Sequence, residues 1–215
     1  MPKRLPFVRG DYYHIYNRGA GRQAIFYEER NYLYLLRLLK QVAGESEVTV
    51  VAYCLLPNHY HWLLRQDGET PAGKVPTRVF GSYSQAFNRA YGRTGTLFEG
   101  PYRALLVDTD VYFANLCSYI HLNPVHHGLV DAPDAWPYSN YLEWIDKRRG
   151  ELIDRELVRE YFASPQAYED CVKDLQQRYT FQQAADFLEG RGILNEDDLN
   201  LPGSGLLRRL ELPGR

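Results

Sequence analysis

Asp11-Tyr12-Tyr13-His14-Ile15-Tyr16-Asn17 is rich in aromatic and β-branched residues and runs into Arg18-Gly19-Ala20-Gly21, which predicts a strand followed by a turn. From Phe26 to Val42 the apolar positions Tyr32, Leu33, Leu35, Leu36 and Leu39 form a broad helical stripe, with Gly44 placed as its C-terminal stop. Val48–Leu55 is strongly β-branched. It passes through Pro57-Asn58, a turn signal, into a second apolar run at His59–Leu64, so the two predict an antiparallel hairpin. Gln66–Pro76 is polar and loop-like, and Thr77–Tyr91 spaces Phe80, Tyr83, Phe87 and Tyr91 as a helix does. That aromatic stripe reads as core rather than as a base-stacking platform. Gly95–Val107 alternates and predicts a strand or hairpin returning to the sheet. Asp108-Thr109-Asp110 then offers N-caps for a helix over 111–123, which Pro124 should end.

The first 130 residues therefore run strand, helix, strand, strand, helix, strand, helix. A βαββαβ order implies an α+β fold: a ferredoxin-like (RRM-like) split-βαβ antiparallel sheet with covering helices, to which the last helix is an addition. Pro133, Trp136 and Pro137 suggest a boundary, giving a domain over 1–137 and a helical C-terminal extension over 138–215. Within the extension, short helices are expected near 139–149, 154–163, 165–178 and 180–189. A loop-rich stretch then follows over 190–205, and the last ten residues are expected to be poorly ordered.

The hairpin turn introduces the first candidate chemistry. Side chains two apart on a strand share a face, so His59 and His61 point one way while Tyr60 and Trp62 point the other. For an isolated His-x-His, ordinary buried histidines are the commoner case. Two imidazoles on one face can also hold one metal ion from one side and leave its other positions open. On the helix 111–123, Tyr119 and Asn123 are four apart and share a face. A tyrosine nucleophile with an amide oxygen beside it is the complement such a histidine strand needs. Two imidazoles, one amide and open positions for water and phosphate suit Mg²⁺ or Mn²⁺ better than a closed zinc site. Tyr112, seven residues before Tyr119, is the rival nucleophile, with core packing its simpler role. His14 and His121 could also approach such a metal, but ordinary hydrogen-bonded histidines are the better reading, and His126-His127 read as loop residues.

Five stretches carry a resemblance: His14-Ile15-Tyr16-Asn17-Arg18-Gly19, Tyr53–His61, Gly95-Thr96-Leu97-Phe98-Glu99-Gly100, Tyr119–Val125 and Gly128-Leu129-Val130. In this order the chain resembles the REP-associated tyrosine transposases, a branch of the HUH single-tyrosine (IS200-like) superfamily. The resemblance covers about residues 10–145. It implies cleavage and rejoining of single-stranded DNA beside short palindromic hairpins, through a 5′-phosphotyrosine intermediate. Carried over by position, His59 and His61 match the metal histidines, Tyr119 the nucleophile and Asn123 the third ligand. The chain departs from the family at Pro101, commonly basic, and at His126, often arginine.

Composition narrows the setting. Three widely spaced cysteines, Cys54, Cys117 and Cys171, fit neither a disulfide framework nor a Cys-x-x-Cys knot, which points to a reducing cytoplasm. No apolar run is long enough to span a membrane, and the N-terminus does not read as a signal peptide. The net charge of −2 splits into +1 over residues 1–145 and −3 over 146–215, so a polyanion must be met by a local patch. Arg18 and Arg103 are the first candidates for DNA phosphate contacts, followed by Arg78 and Arg89. Two other classes stay open: a non-catalytic hairpin-binding module, and a metal-dependent phosphodiesterase in which water attacks. A monomer and a homodimer are both compatible with the sequence.

Overall fold

The computed structural model describes residues 6–178 and 180–188. The expected loop over 190–205 and the tail lie outside them. Two compact units follow one another along the chain, Met1–Leu106 and Val107–Arg215.

The first unit is built on an antiparallel sheet. Strand β1 (Tyr12–Arg18) is followed by helix α1 (Glu29–Glu45), strands β2 (Val48–Leu56) and β3 (His59–Gln66), helix α2 (Lys74–Ala90) and strand β4 (Arg103–Val107). The strands lie in the order β2-β3-β1-β4, the split-βαβ arrangement that the element order implies. β3 pairs antiparallel with both neighbours, with Tyr16 opposite His61 and Arg18 opposite His59 on one side, and Cys54 and Leu56 opposite the same histidines on the other. Tyr60 and Trp62 point away from the histidines and are buried against Phe80 of α2, with ring centroids 4.3 and 4.9 Å from it. The aromatic stripe of α2 is core at Phe80, Tyr83 and Phe87, as expected, while Tyr91 is only half-buried.

Three boundary expectations need correction. Gly44 does not stop α1, which runs on to Glu45; Ser46 closes it, bonding back to the Val42 and Ala43 carbonyls, and Glu47 takes the left-handed turn (φ 50°). Helix α2 begins at Lys74 rather than Thr77, because Pro76 sits in the first turn, where its missing N–H has no intrahelical partner to lose. Between Gly95 and Pro101 the chain is loop, not strand. It touches the sheet through a bridge between Gly19 and Phe98, because glycines with positive φ at 92 and 95 bend it too sharply to pair at length.

The second unit is helical. Helix α3 (Asp110–His126) is capped by the Thr109 hydroxyl, which accepts from the Tyr112 N–H at 3.2 Å. It is followed by α4 (Tyr141–Trp144), α5 (Arg155–Tyr161), α6 (Pro165–Arg178) and α7 (Phe181–Leu188); the last three lie close to the expected segments, whereas the helix expected over 139–149 is a single turn. Pro124 does not end α3. The Asn123 and Pro124 carbonyls are taken by the His127 and Leu129 N–H groups, so the helix closes at His126 although Pro124 offers no donor. α3 is buried on nearly every face from Phe113 to Pro124 and packs against α6 and α7. Cys54, Cys117 and Cys171 are free thiols, and among the described residues no helix is long and apolar enough to cross a membrane.

Candidate functional site

β3 begins at His59, immediately after the Pro57-Asn58 turn, and alternation along the strand puts His59 and His61 on the face opposite the helices. Their rings meet edge to face with centroids 5.4 Å apart. His59 is half-buried and His61 almost fully buried. Each ring is oriented by a neighbour through one nitrogen. Asn58 donates its amide Nδ2 to the Arg22 carbonyl at 3.3 Å, which turns Oδ1 toward His59 Nδ1 at 2.7 Å. An amide oxygen only accepts, so His59 carries its proton on Nδ1 and keeps the lone pair on Nε2. His61 Nδ1 lies 3.0 Å from His14 Nε2, a buried bond from β3 to β1, with His14, Tyr16 and His61 stacked within 5.6 Å. His14 is thus hydrogen-bonded, as the sequence reading held, and its partner is one of the candidate ligands.

In the second unit, Tyr119 and Asn123 share a face of α3 and both are fully buried. Asn123 Nδ2 donates to the Tyr119 carbonyl at 2.8 Å, which fixes the amide so that Oδ1 faces away from the helix backbone. That oxygen is buried and has no hydrogen-bond partner among the described residues. A buried carbonyl oxygen left without a donor is costly, and coordination of a hard cation is one way to satisfy it. Imidazole nitrogens, offered on β3, and an amide oxygen without a donor, offered on α3, are each ligand types that Mg²⁺ or Mn²⁺ accepts. Among the described residues no group of three or more His, Cys, Asp or Glu side chains is placed to hold a metal ion by itself. The His126 ring lies 6.4 Å from that of Tyr119, centroid to centroid, and burial together with the charge of His127 lowers its pKa to about 4. Tyr112 is half-buried near the start of the helix.

His121 looks away from this face. Asn140 donates Nδ2 to the Leu152 carbonyl, so its Oδ1 accepts from His121 Nε2–H at 2.9 Å, and His121 Nδ1 then accepts the Tyr168 hydroxyl. The imidazole is fully satisfied as a neutral ring, and burial pushes its pKa down to about 4. This histidine is the hydrogen-bonded one that the sequence suggested.

The candidate DNA-binding arginines separate into groups. Arg18, opposite His59 across the β1–β3 ladder, donates Nε and Nη2 to the Glu99 carboxylate. The Arg18 hydrogen bond, with the charges of Arg18, Arg22 and Arg103 around it, holds the Glu99 carboxyl below the usual range. Three arginines thus surround one carboxylate near the first histidine. Arg22 was not singled out in the sequence, and nothing local marks it. It sits at φ 60° in a turn whose Gly19 admits no Cβ, since one would meet the Gln23 carbonyl oxygen at 2.1 Å. Arg78 is not part of this group: it pairs with Glu45 and Ser46 at the C-terminal end of α1. Arg89 is exposed on the last turn of α2.

Comparison with known proteins bears on the family and the fold. A curated Haemophilus influenzae protein described as a REP-associated tyrosine transposase is 30% identical over 112 residues; the alignment covers 47% of this chain and 64% of that protein's length. A solved structure of a REP-associated tyrosine transposase bound to a REP hairpin is similar in fold, with a TM-score of 0.56 at 17% identity, covering 72% of this chain and 94% of that one. The model of the family described as "Transposase IS200 like" matches residues 8–123, more than half of the chain and the whole stretch from β1 to Asn123. The chain belongs to the IS200-like transposase family.

Proposed function

We propose that this protein cuts and rejoins single-stranded DNA at or beside short palindromic hairpins, acting in the cytoplasm as a metal-dependent tyrosine transesterase. Tyr119 is the nucleophile, and His59, His61 and Asn123 are the protein's ligands to Mg²⁺ or Mn²⁺. The observation that supports this most is the Asn123 Oδ1, buried without a donor on the helix face it shares with Tyr119. The likeness in fold to a chain solved on a REP hairpin supports the choice of substrate.

A divalent cation held there would draw negative charge from the scissile phosphate and hold it for in-line attack. For Nε2 of His61 to be the coordinating atom, His61 must carry its proton on Nδ1 and donate to His14 Nε2, so His14 accepts and is protonated on Nδ1. His59 is already fixed in the corresponding state by Asn58. In the reaction the Tyr119 oxygen forms a bond to phosphorus as the bond to the 3′ oxygen breaks. The phenolic proton is released and the leaving 3′ oxygen gains one. Because the phosphodiester is conserved as a phosphotyrosyl ester, attack by another 3′-hydroxyl reverses the step without ATP. Tyr119 is fully buried, so the cycle includes a step that uncovers its hydroxyl. Arg18, Arg22 and Arg103 supply phosphate contacts, with Glu99 holding Arg18 in place until DNA arrives.

That burial favours one second reading, in which water attacks and Tyr119 only shapes the site. Incubation with Mn²⁺ and an end-labelled hairpin oligonucleotide separates the two. The proposal requires a denaturation-resistant protein–DNA adduct that disappears in Tyr119→Phe. His59→Ala and His61→Ala should abolish cleavage and leave hairpin binding within a few-fold. Cleavage without an adduct would establish the hydrolase, and binding without cleavage a recognition module.

A further inference from the structure

Beyond the histidines, the β1–α1 connection leads along the surface of the first unit to a cluster that the chemistry above does not use. Tyr27 is 49% exposed, an unusual state for a ring otherwise set against aromatic core. It meets Phe87 and Tyr91 edge to face, each at 4.8 Å between centroids, and so extends the α2 stripe out to solvent. Arg93 donates Nη1 to the Tyr27 hydroxyl at 2.6 Å and Nη2 to Gln23 Oε1 at 3.3 Å, with its guanidinium over the Phe87 ring. Arg30 lies over Tyr91. The ring is thus held in one orientation, with cationic groups at its rim.

This cluster is continuous with the histidine end of the sheet. Gln23, which Arg93 grips, follows Arg22, whose carbonyl accepts from Asn58, the residue that orients His59. The connection is pinned at both ends of that turn: Gly19 N–H bonds to the Asn58 carbonyl and Ile25 N–H to that of Pro57. A non-glycine residue with positive φ is uncommon and costs backbone energy, and here it presents Arg22 to solvent beside Gln23, with its charge felt at Glu99.

We propose that Tyr27 is a stacking platform for one unpaired base in the single-stranded flank of the DNA hairpin, with Arg22 and Arg93 holding the phosphates beside it. The inference rests on the DNA-processing function proposed above and names the part of the chain that takes the flank. Charge selects this occupant over an apolar one: four arginines, Arg18, Arg22, Arg30 and Arg93, stand against the three carboxylates of Glu28, Glu29 and Glu99, of which Glu28 is paired with Arg30 and Glu99 with Arg18, while Arg93 lies on neutral groups. A π-face rimmed by guanidinium groups is the surface that single strands use without sequence readout.

The test is fluorescence binding by the full chain to two probes, a hairpin with an unpaired flank containing 2-aminopurine and the same hairpin with blunt ends. Wild type should bind the flanked probe more tightly and quench the aminopurine. Tyr27→Ala should lose the quenching and weaken binding of the flanked probe by roughly tenfold or more, leaving the blunt probe unchanged. Tyr27→Phe should keep both, because stacking needs the ring and not the hydroxyl, and Tyr27→Leu should fail as the alanine variant does. Equal affinity of Tyr27→Ala and wild type for the flanked probe would overturn the platform alone. Equal losses on both probes would do the same. Lowered self-association of Tyr27→Ala in sedimentation, with flank binding intact, would make this face a contact between copies and also overturn it. Failure of wild type to bind either probe would overturn the DNA-processing function with it.

Discussion

A neutral imidazole has one donor and one acceptor nitrogen, so fixing one nitrogen decides what the other can do. That rule makes His14 more than a buried polar residue. Its Nε2 is the partner of His61 Nδ1, and removing it leaves the His61 ring without the group that selects its tautomer. We expect His14→Ala to weaken Mn²⁺ binding by about 10–100-fold, the usual effect of losing a hydrogen-bond partner of a ligating histidine. His14→Gln, which can still accept a hydrogen bond, should recover much of that loss. Isothermal titration with Mn²⁺ reads this without any DNA. Unchanged affinity in His14→Ala would mean that the bond only holds β1 to β3. In the sequence, the pairing of His59 with His61 was visible from strand alternation alone. His14 was not visible as their partner, because its diagonal approach depends on the β1–β3 register, which no local signal encodes. Asn58 shows the converse: it reads as a turn former, yet its side chain also sets the His59 proton.

Among the secondary-structure elements, α3 shows how a polar network fixes a helix. His121, two residues from Tyr119, is locked by Tyr168 of α6 and by Asn140, within an aromatic shell that includes Trp144. Removing the Tyr168 hydroxyl would leave a buried nitrogen unpaired, so Tyr168→Phe should cost about 1–3 kcal/mol in urea unfolding. The same burial predicts a pH effect. His121 has its pKa lowered to about 4 in the folded protein, so between that value and the unfolded value of 6.5 the unfolded chain binds more protons. Its contribution is present above the unfolded pKa and is lost as pH falls toward the folded one, by about 2 kcal/mol between pH 7 and pH 5. Denaturation midpoints at the two pH values check this; a midpoint that does not move would contradict the buried neutral ring. The order of strands and helices was legible because the hydrophobic period changes from two to 3.6 and back along the chain. The ends of the elements were less so. Gly44 and Pro124 both signal a stop locally, and both lie inside helices whose last carbonyls find donors further along the chain.

For the whole molecule, a net charge of −2 conceals the positive cluster at Arg18, Arg22 and Arg103 around Glu99. Affinity for a hairpin with a single-stranded flank should therefore depend on salt through these groups and Arg93. If all four meet phosphates, log K should fall against log salt with a slope of about −3. Arg22→Ala should reduce that slope by about one unit. A flat salt dependence would place binding elsewhere. Central to the account remains the covalent link. After reaction with hairpin DNA and Mn²⁺, proteolysis and mass spectrometry of the trapped adduct should locate the nucleotide on the peptide containing Tyr119, with the phosphate on the phenolic oxygen. A nucleotide on Tyr112, or cut DNA with every tyrosine unmodified, would contradict it.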